Sequence, residues 1–166
     1  MEDQKKIFLQ SEGDMWFERN KAASVGDADP ILNYFINRET DFPAETFGDL
    51  LEIGCAEGKR LSCLSKLPFQ SLAGIEPSVK AVEMAVKNNR NVVQGTADKL
   101  PFDNGSFDYI VFAWCLYLCD RDDLFLIAAE ANRVLKDQGR IIIYDFAPNT
   151  NVKNTYKHCE GVVVHK

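Results

Sequence analysis

The chain has 166 residues, of which 46% are hydrophobic and 27% charged, with 25 acids against 19 lysines and arginines. That is the scale of one domain with enough apolar material for its own core, so disorder as the main state is excluded and no disulfide or metal is needed to staple the fold. A net charge of −6, with no run of cations longer than Lys5-Lys6 or Lys59-Arg60, argues against nucleic acid as a partner, because phosphate binding needs clustered cations.

No stretch approaches the roughly 18 apolar residues of a membrane span, and Met1 to Gln10 lacks the uninterrupted apolar segment of a signal peptide. No membrane partner and a cytoplasmic location are therefore expected. The five cysteines are odd in number and form no CxxC pair, which suits free, buried thiols rather than a zinc site. With only His158 and His165 in the chain, no metal centre is expected.

Along the chain, the segment MWFERNKAA has the pattern of a helix, and Asp29-Pro30 opens a second one as N-cap and first helical residue, with Ile31, Leu32 and Phe35 on its apolar stripe. A turn-rich stretch follows through Pro43 and Gly48. DLLEIG is a short apolar run ending in glycine, as a buried strand does, and EGKRLSCLSKL repeats Leu61, Leu64 and Leu67 at helical spacing until Pro68 stops it. The alternation continues with SLAGIE as a strand, PSVKAVEMAVKNN as a helix on the stripe Val79, Val82 and Val86, and NVVQG as a strand. After an Asp-Asn-Gly-Ser turn comes the aromatic and β-branched strand FDYIVFAW. Asp120 is positioned to cap the next helix, whose apolar face runs through Leu124, Ile127, Ala128, Ala131, Val134 and Leu135. Gly139 stands where a left-handed helix terminator is expected, and RIIIYDF is the fifth strand.

Near-continuous apolar strands alternating with helices predict an α/β fold: a Rossmann-like, doubly wound, mostly parallel sheet with helices on both faces. Ligands of such sheets bind beyond the carboxyl ends of the strands at the switch point, so the residues after each strand carry the information. After the first strand stands Gly54-Cys55-Ala56-Glu57-Gly58. Glycine at 54 allows a ligand to approach the backbone, and Gly58 allows tight packing at the helix start. The spacing is GxxxG, and Ala56 occupies the place where a dinucleotide fingerprint has its central glycine. Glu76 follows the second strand 22 residues after Gly54, where a carboxylate can accept from both hydroxyls of a ribose. Asp98 follows the third strand, where a carboxylate can accept from an exocyclic adenine amine.

LEIGCAEG, GIEPS, GTADKLPFDNGSFDYIVF and ANRVLKDQGRIIIYDF, in this order over residues 49 to 146, resemble class I S-adenosylmethionine-dependent methyltransferases of the type 11/12 group. The resemblance implies S-adenosylmethionine as cofactor and S-adenosylhomocysteine as product, and the lack of a basic stripe or an added recognition domain in 166 residues makes a small-molecule methyl acceptor the expectation. The resemblance implies further that Gly54 lies under the methionine part, Glu52 beneath that loop interacts with the amino acid end, and Glu76 binds ribose. Ala97 and Asp98 would frame adenine, and Trp114 would border the sulfonium and the acceptor. In similar methyltransferases a helix ahead of the sheet closes over the cofactor, which makes Arg19 a candidate partner for its carboxylate. Two departures stand out. RVLKDQG replaces the usual RVLKPGG, and WCLYLCDRDD lacks a histidine after the fourth strand, which disfavours a histidine-based catalytic variant. Candidate bases are then His158, Tyr117, Tyr144 and Tyr156, and no catalytic residue is assigned. A non-catalytic, methyltransferase-like scaffold is the alternative, and a nicotinamide-dependent oxidoreductase is disfavoured by Ala56.

The resemblance divides the chain into an N-terminal helical cap over residues 1–45 and a Rossmann-like core over 46–166, short of the last strands of the full fold. An uncovered fifth strand is an edge that invites self-association. Val162 to Val164 are expected to pair at that edge or to be swapped onto a second copy.

Overall fold

The computed structural model describes residues 4–26, 28–41 and 46–165. Most of the turn-rich stretch around Pro43 lies outside the described residues. The chain begins with α1 (Gln4–Ile7), a π-helical turn over Phe8–Glu12 and α2 (Gly13–Asn20). Helix α3 (Pro30–Asp41) starts as expected, with Asp29 Oδ1 accepting the Ile31 and Leu32 N–H groups at 3.0 Å each. This satisfies two donors that a helix start leaves orphaned.

The core alternates β1 (Gly48–Ile53), α4 (Lys59–Leu64), β2 (Phe69–Glu76), α5 (Val79–Lys87), β3 (Val92–Gln94), β4 (Phe107–Ala113), α6 (Leu124–Val134) and β5 (Leu135–Tyr144). The five strands form one wholly parallel sheet in the order β3-β2-β1-β4-β5. Ile53 pairs with Ile75 and Phe112, Glu76 with Gln94, and Ala113 with Tyr144, so the carboxyl ends finish together. The strand order reverses between β1 and β4, and there the helices diverge to opposite faces and leave a crevice.

Alternation along the strands builds a core on each face. Leu50, Tyr109 and Val111 meet Phe35, Leu61 and Leu64 on one side, while Leu51, Ile53, Ile110 and Phe112 meet Ile127, Ala131 and Val134 on the other. Each fully buried side chain such as Leu50, Leu51 or Ile110 contributes about 1.5–3 kcal/mol by leaving water. Phe35 anchors the first face through edge-on contacts with Phe69 and Tyr109, ring centroids 4.9 and 5.0 Å apart.

Several sequence expectations are corrected. Of the expected stripe only Val82 packs on the core, while Val79 and Val86 are exposed and helix α5 buries Ala81 and Ala85; the small residues let the helix lie close to the sheet. Ala128 likewise faces solvent. Asp120 does not cap with its side chain, because its carboxylate accepts the Gln4 N–H at 2.9 Å instead. Helix α6 ends at Val134 when Leu135 turns extended, and Gln138 rather than Gly139 takes the left-handed conformation, with φ +67°. Val162 to Val164 do not extend the main sheet. β7 (Val163–His165) pairs antiparallel with β6 (Lys153–Thr155) as a separate hairpin.

That hairpin is held by Gln4. The buried Gln4 amide donates to the Leu118 and Val163 carbonyls and accepts the Val163 N–H, tying the N-terminal helix to both the segment after β4 and β7. Strand β5 is the terminal strand of the sheet, and its Ile141 and Ile143 are exposed.

Candidate active site

At the end of β1 the chain must turn sharply under the crevice, and Gly54 does so with φ +72°. A Cβ on Gly54 would stand 2.7 Å from Cys115 Cβ, closer than two carbons can approach, so position 54 requires glycine for space as well as for conformation. Ala56 and Gly58 are also left-handed. This winding aims the Ala56 N–H at Glu76 Oε2, 2.9 Å away, and Glu76 Oε1 accepts the Ser78 N–H at 3.1 Å. The loop after β1 and the start of α5 are thereby fastened to one carboxylate at the end of β2.

Burial raises the Glu76 pKa to about 7, against the pull of the Ser78 and Ala56 N–H groups. A carboxylate offers about four acceptor positions, and the two backbone amides leave capacity for two more donors. The crevice above it opens onto about 820 Å³ of space, the solvent at its mouth included. Gly54, Glu76, Ala97, Asp98 and Trp114 all line it, so five of the seven expected cofactor residues are brought together. Ile75, Ala97, Leu118 and Ile127 give it apolar walls.

The other two lie elsewhere and have their own partners. Glu52 is buried behind the loop and ion-paired with Arg60, which also binds Asp29 at 3.0 Å. Burial pushes its pKa up while the Arg60 guanidinium pulls it down. Arg19 pairs with Glu12 and donates to the Tyr156 hydroxyl at 3.0 Å. In this structure the Arg19 guanidinium is engaged by Glu12, which is completely buried. Neither Glu52 nor Arg19 is among the residues lining the crevice.

A helical roof ahead of the sheet was expected, but the residues that line it were not. Lys5, Phe8, Gly13 and Trp16 close the crevice from the N-terminal helices. Lys5 bridges Asp98 at 2.8 Å and Asp123 at 3.0 Å. Burial alone would raise the Asp98 pKa, but the Lys5 hydrogen bond holds it below the usual carboxylate range. Asp14 on α2 accepts the Ser78 hydroxyl at 2.7 Å and the Lys80 N–H at 3.0 Å, docking the roof on α5. The π-turn has a readable trace in Gly13, whose added Cβ would stand 2.6 Å from the Phe8 carbonyl oxygen.

None of His158, Tyr117, Tyr144 and Tyr156 lines the crevice. Burial raises the pKa of both Tyr117 and Tyr156, the latter to about 12, which makes either reluctant to act as a base. Cys115 and Cys119 do line it, but burial pushes both thiols up, so they stay protonated and weakly nucleophilic. Among the described residues no group of three His, Cys, Asp or Glu side chains is arranged to hold a metal, and no helix is long and apolar enough to cross a membrane.

The sheet order, the glycine turn and the acid at the end of β2 together define a class I, S-adenosylmethionine-dependent methyltransferase fold, a class whose cofactor is S-adenosylmethionine. The methyltransferase domain family matches residues 51–143, and the chain belongs to that family. An uncharacterized protein of Methanocaldococcus jannaschii, MJ1252, is 36% identical over 106 residues, 63% of this chain and 39% of that protein. Demethylmenaquinone methyltransferase of Staphylococcus aureus is 31% identical over 107 residues, 60% of this chain and 44% of the enzyme. These matches thus span about two-fifths of the relatives' length. Among solved structures, phosphoethanolamine N-methyltransferase 2 of Haemonchus contortus, in complex with S-adenosylmethionine, superposes with a TM-score of 0.59 at 20% identity, over 86% of this chain and 35% of that one. The PH0226 protein of Pyrococcus horikoshii gives 0.62 at 21% identity, over 77% and 65%. At such identities the likeness concerns the fold.

Proposed function

We propose that this chain binds S-adenosylmethionine in the crevice and transfers its methyl group to a small-molecule acceptor. The observation that carries this reading is Glu76: a buried carboxylate at the end of β2, held by two backbone amides, open to the crevice and left with acceptor capacity for a ribose diol. The residues fit the cofactor. Gly54 would leave the β1 loop bare for its methionine part, Ala97 and Asp98 would frame adenine, and Trp114, which lines the same crevice, would border the acceptor.

When bound, S-adenosylmethionine supplies a methyl group already activated for displacement. The chain then has to orient and to exclude water. Gly54 and Glu76 fix the donor's place, the roof of Phe8 and Trp16 shuts out solvent, and Trp114 limits where an acceptor can lie. Glu52 and Arg60 act from behind by holding the β1 loop and α4 in register. The excess of acids lining the crevice supports a small acceptor over a nucleic acid. The relatives that carry a substrate name, such as the demethylmenaquinone enzyme, also act on small molecules.

The test is transfer of tritium from methyl-labelled S-adenosylmethionine into the small-molecule fraction of a cell extract, with boiled protein as blank. Label in low-mass products is expected. Label only in protein or nucleic acid would refute the acceptor class.

A further inference from the structure

Trp114 is the one aromatic residue of the crevice with φ in the left-handed region, at +60°. A bulky side chain there is a backbone outlier that surrounding structure must enforce. It is enforced by its N–H, which donates to the Tyr144 carbonyl at 2.9 Å, and by two ring contacts. Tyr144 and Phe146 meet the indole edge-on, with centroids 4.9 and 5.0 Å away. Yet the three rings are not buried: Trp114, Tyr144 and Phe146 are 40%, 37% and 43% exposed. A strained, mutually braced group of half-exposed aromatic rings, one of which, Trp114, lines a ligand crevice, is a preformed recognition surface.

One carboxylate is fixed among them. Asp145 lies between Tyr144 and Phe146 in sequence, and its oxygens accept the Tyr117 N–H at 3.3 Å and the Phe146 N–H at 2.8 Å. Tyr117 in turn packs edge-on against Phe146 at 5.1 Å. The adjoining crevice is acidic: among the described residues Glu76, Asp98, Asp120 and Asp123 line it against one cation, Lys5, which is already engaged by Asp98 and Asp123. Ring faces carry negative quadrupole potential, and rings together with a carboxylate attract cations and repel anions.

We propose that Trp114, Tyr144, Phe146 and Asp145 form the acceptor subsite, and that it takes a cationic small molecule, an amine or alkylated ammonium. The assignment rests on the crevice being the donor site. The acceptor amine first loses its proton to water; its nitrogen lone pair then forms the new N–CH3 bond while the electrons of the breaking S–CH3 bond remain on sulfur. The product is a more alkylated ammonium, which the rings also hold.

The probe is choline against its neutral isostere 3,3-dimethylbutan-1-ol, titrated calorimetrically into protein with and without saturating S-adenosylhomocysteine, with S-adenosylhomocysteine binding measured separately. Choline is expected to bind at least about fivefold more tightly than the neutral compound. Phe146→Leu and Asp145→Asn, each checked for native circular dichroism, are expected to shrink that preference. Trp114 itself is left intact because its backbone conformation makes a folding defect the expected result of changing it. Equal or tighter binding of the neutral compound overturns the proposal, as does preferential binding of benzoate, which would assign the rings to a planar aromatic acceptor. If choline is preferred but S-adenosylhomocysteine does not bind, the donor reading fails and the cation site stands. If S-adenosylhomocysteine binds without any preference for choline, only the acceptor assignment falls.

Discussion

Replacing Glu76 with alanine removes the one carboxylate that both shapes the β1 loop and faces the crevice. Two hydroxyl donors of a ribose would occupy the acceptor capacity that the Ala56 and Ser78 amides leave free. Hydrogen bonds to a charged group are worth about 1.5–3 kcal/mol in net terms, and each 1.4 kcal/mol is about tenfold in affinity. Because burial raises the Glu76 pKa to about 7, about half the sites are ionised at neutral pH, which trims the gain by about 0.4 kcal/mol. Glu76→Ala is therefore expected to weaken S-adenosylhomocysteine about ten- to a hundredfold by isothermal titration calorimetry. A second arm separates direct contact from loop damage: the 2′,3′-dideoxy analogue should lose a similar factor in the wild type and little more in the mutant, as a double-mutant cycle requires of touching groups. Undiminished affinity in Glu76→Ala, or fully additive losses, would refute the ribose contact.

The same carboxylate sets a pH dependence. Ligand hydroxyls favour its ionised form, so S-adenosylhomocysteine affinity is expected to rise about tenfold between pH 6 and pH 8 with proton release, measurable in buffers of different ionisation heat. The ligand-free protein should move the other way: the folded-state pKa lies above the unfolded value, so stability is lost as pH climbs from about 4.5 to 7, which urea melts would register. Gly54→Ala combines a left-handed φ with a 2.7 Å clash against Cys115 and should destabilise by about 1–3 kcal/mol and abolish detectable cofactor binding. Ala85→Leu, at a fully buried site, should cost about 1–3 kcal/mol in chemical denaturation, whereas Val86→Ala, 58% exposed, should stay within about 0.5 kcal/mol. Gln4→Ala removes the amide that holds Leu118 and Val163 and should speed hydrogen exchange in α1, α2 and β7 while leaving β1 and β4 protected.

The parallel core was readable because its signals are local: apolar runs of strand length, glycine at Gly54 and helical spacing between them. That Glu76 and Asp98 line the crevice was readable for the same reason, since both follow strands of a sheet whose ligands bind beyond the strand ends. What escaped was decided by tertiary packing. The α5 stripe was misjudged because hydrophobicity ranks valine above alanine, while a helix lying tight on the sheet selects Ala81 and Ala85 for size. The pairing of Arg19 with Glu12, seven residues earlier, has no local signal, because nothing in the sequence shows that Glu12 is buried. Lys5 and Gln4 gave no signal at all, since their partners Asp98, Asp123, Leu118 and Val163 are more than ninety residues away in sequence. The terminal hairpin was misplaced because three valines announce a strand without naming its neighbour.

The most direct test of the central claim is an amide-resolved NMR titration of the protein with S-adenosylhomocysteine. Saturable shifts confined to Gly54, Ala56, Glu76, Ala97, Asp98, Trp114 and the roof residues Lys5 to Trp16 are expected, with the far ends of β1 and β4 near Gly48 and Phe107 unmoved. Absence of saturable shifts at millimolar ligand, or shifts centred away from Gly54 and Glu76, would contradict the assignment of this crevice as the methyl-donor site.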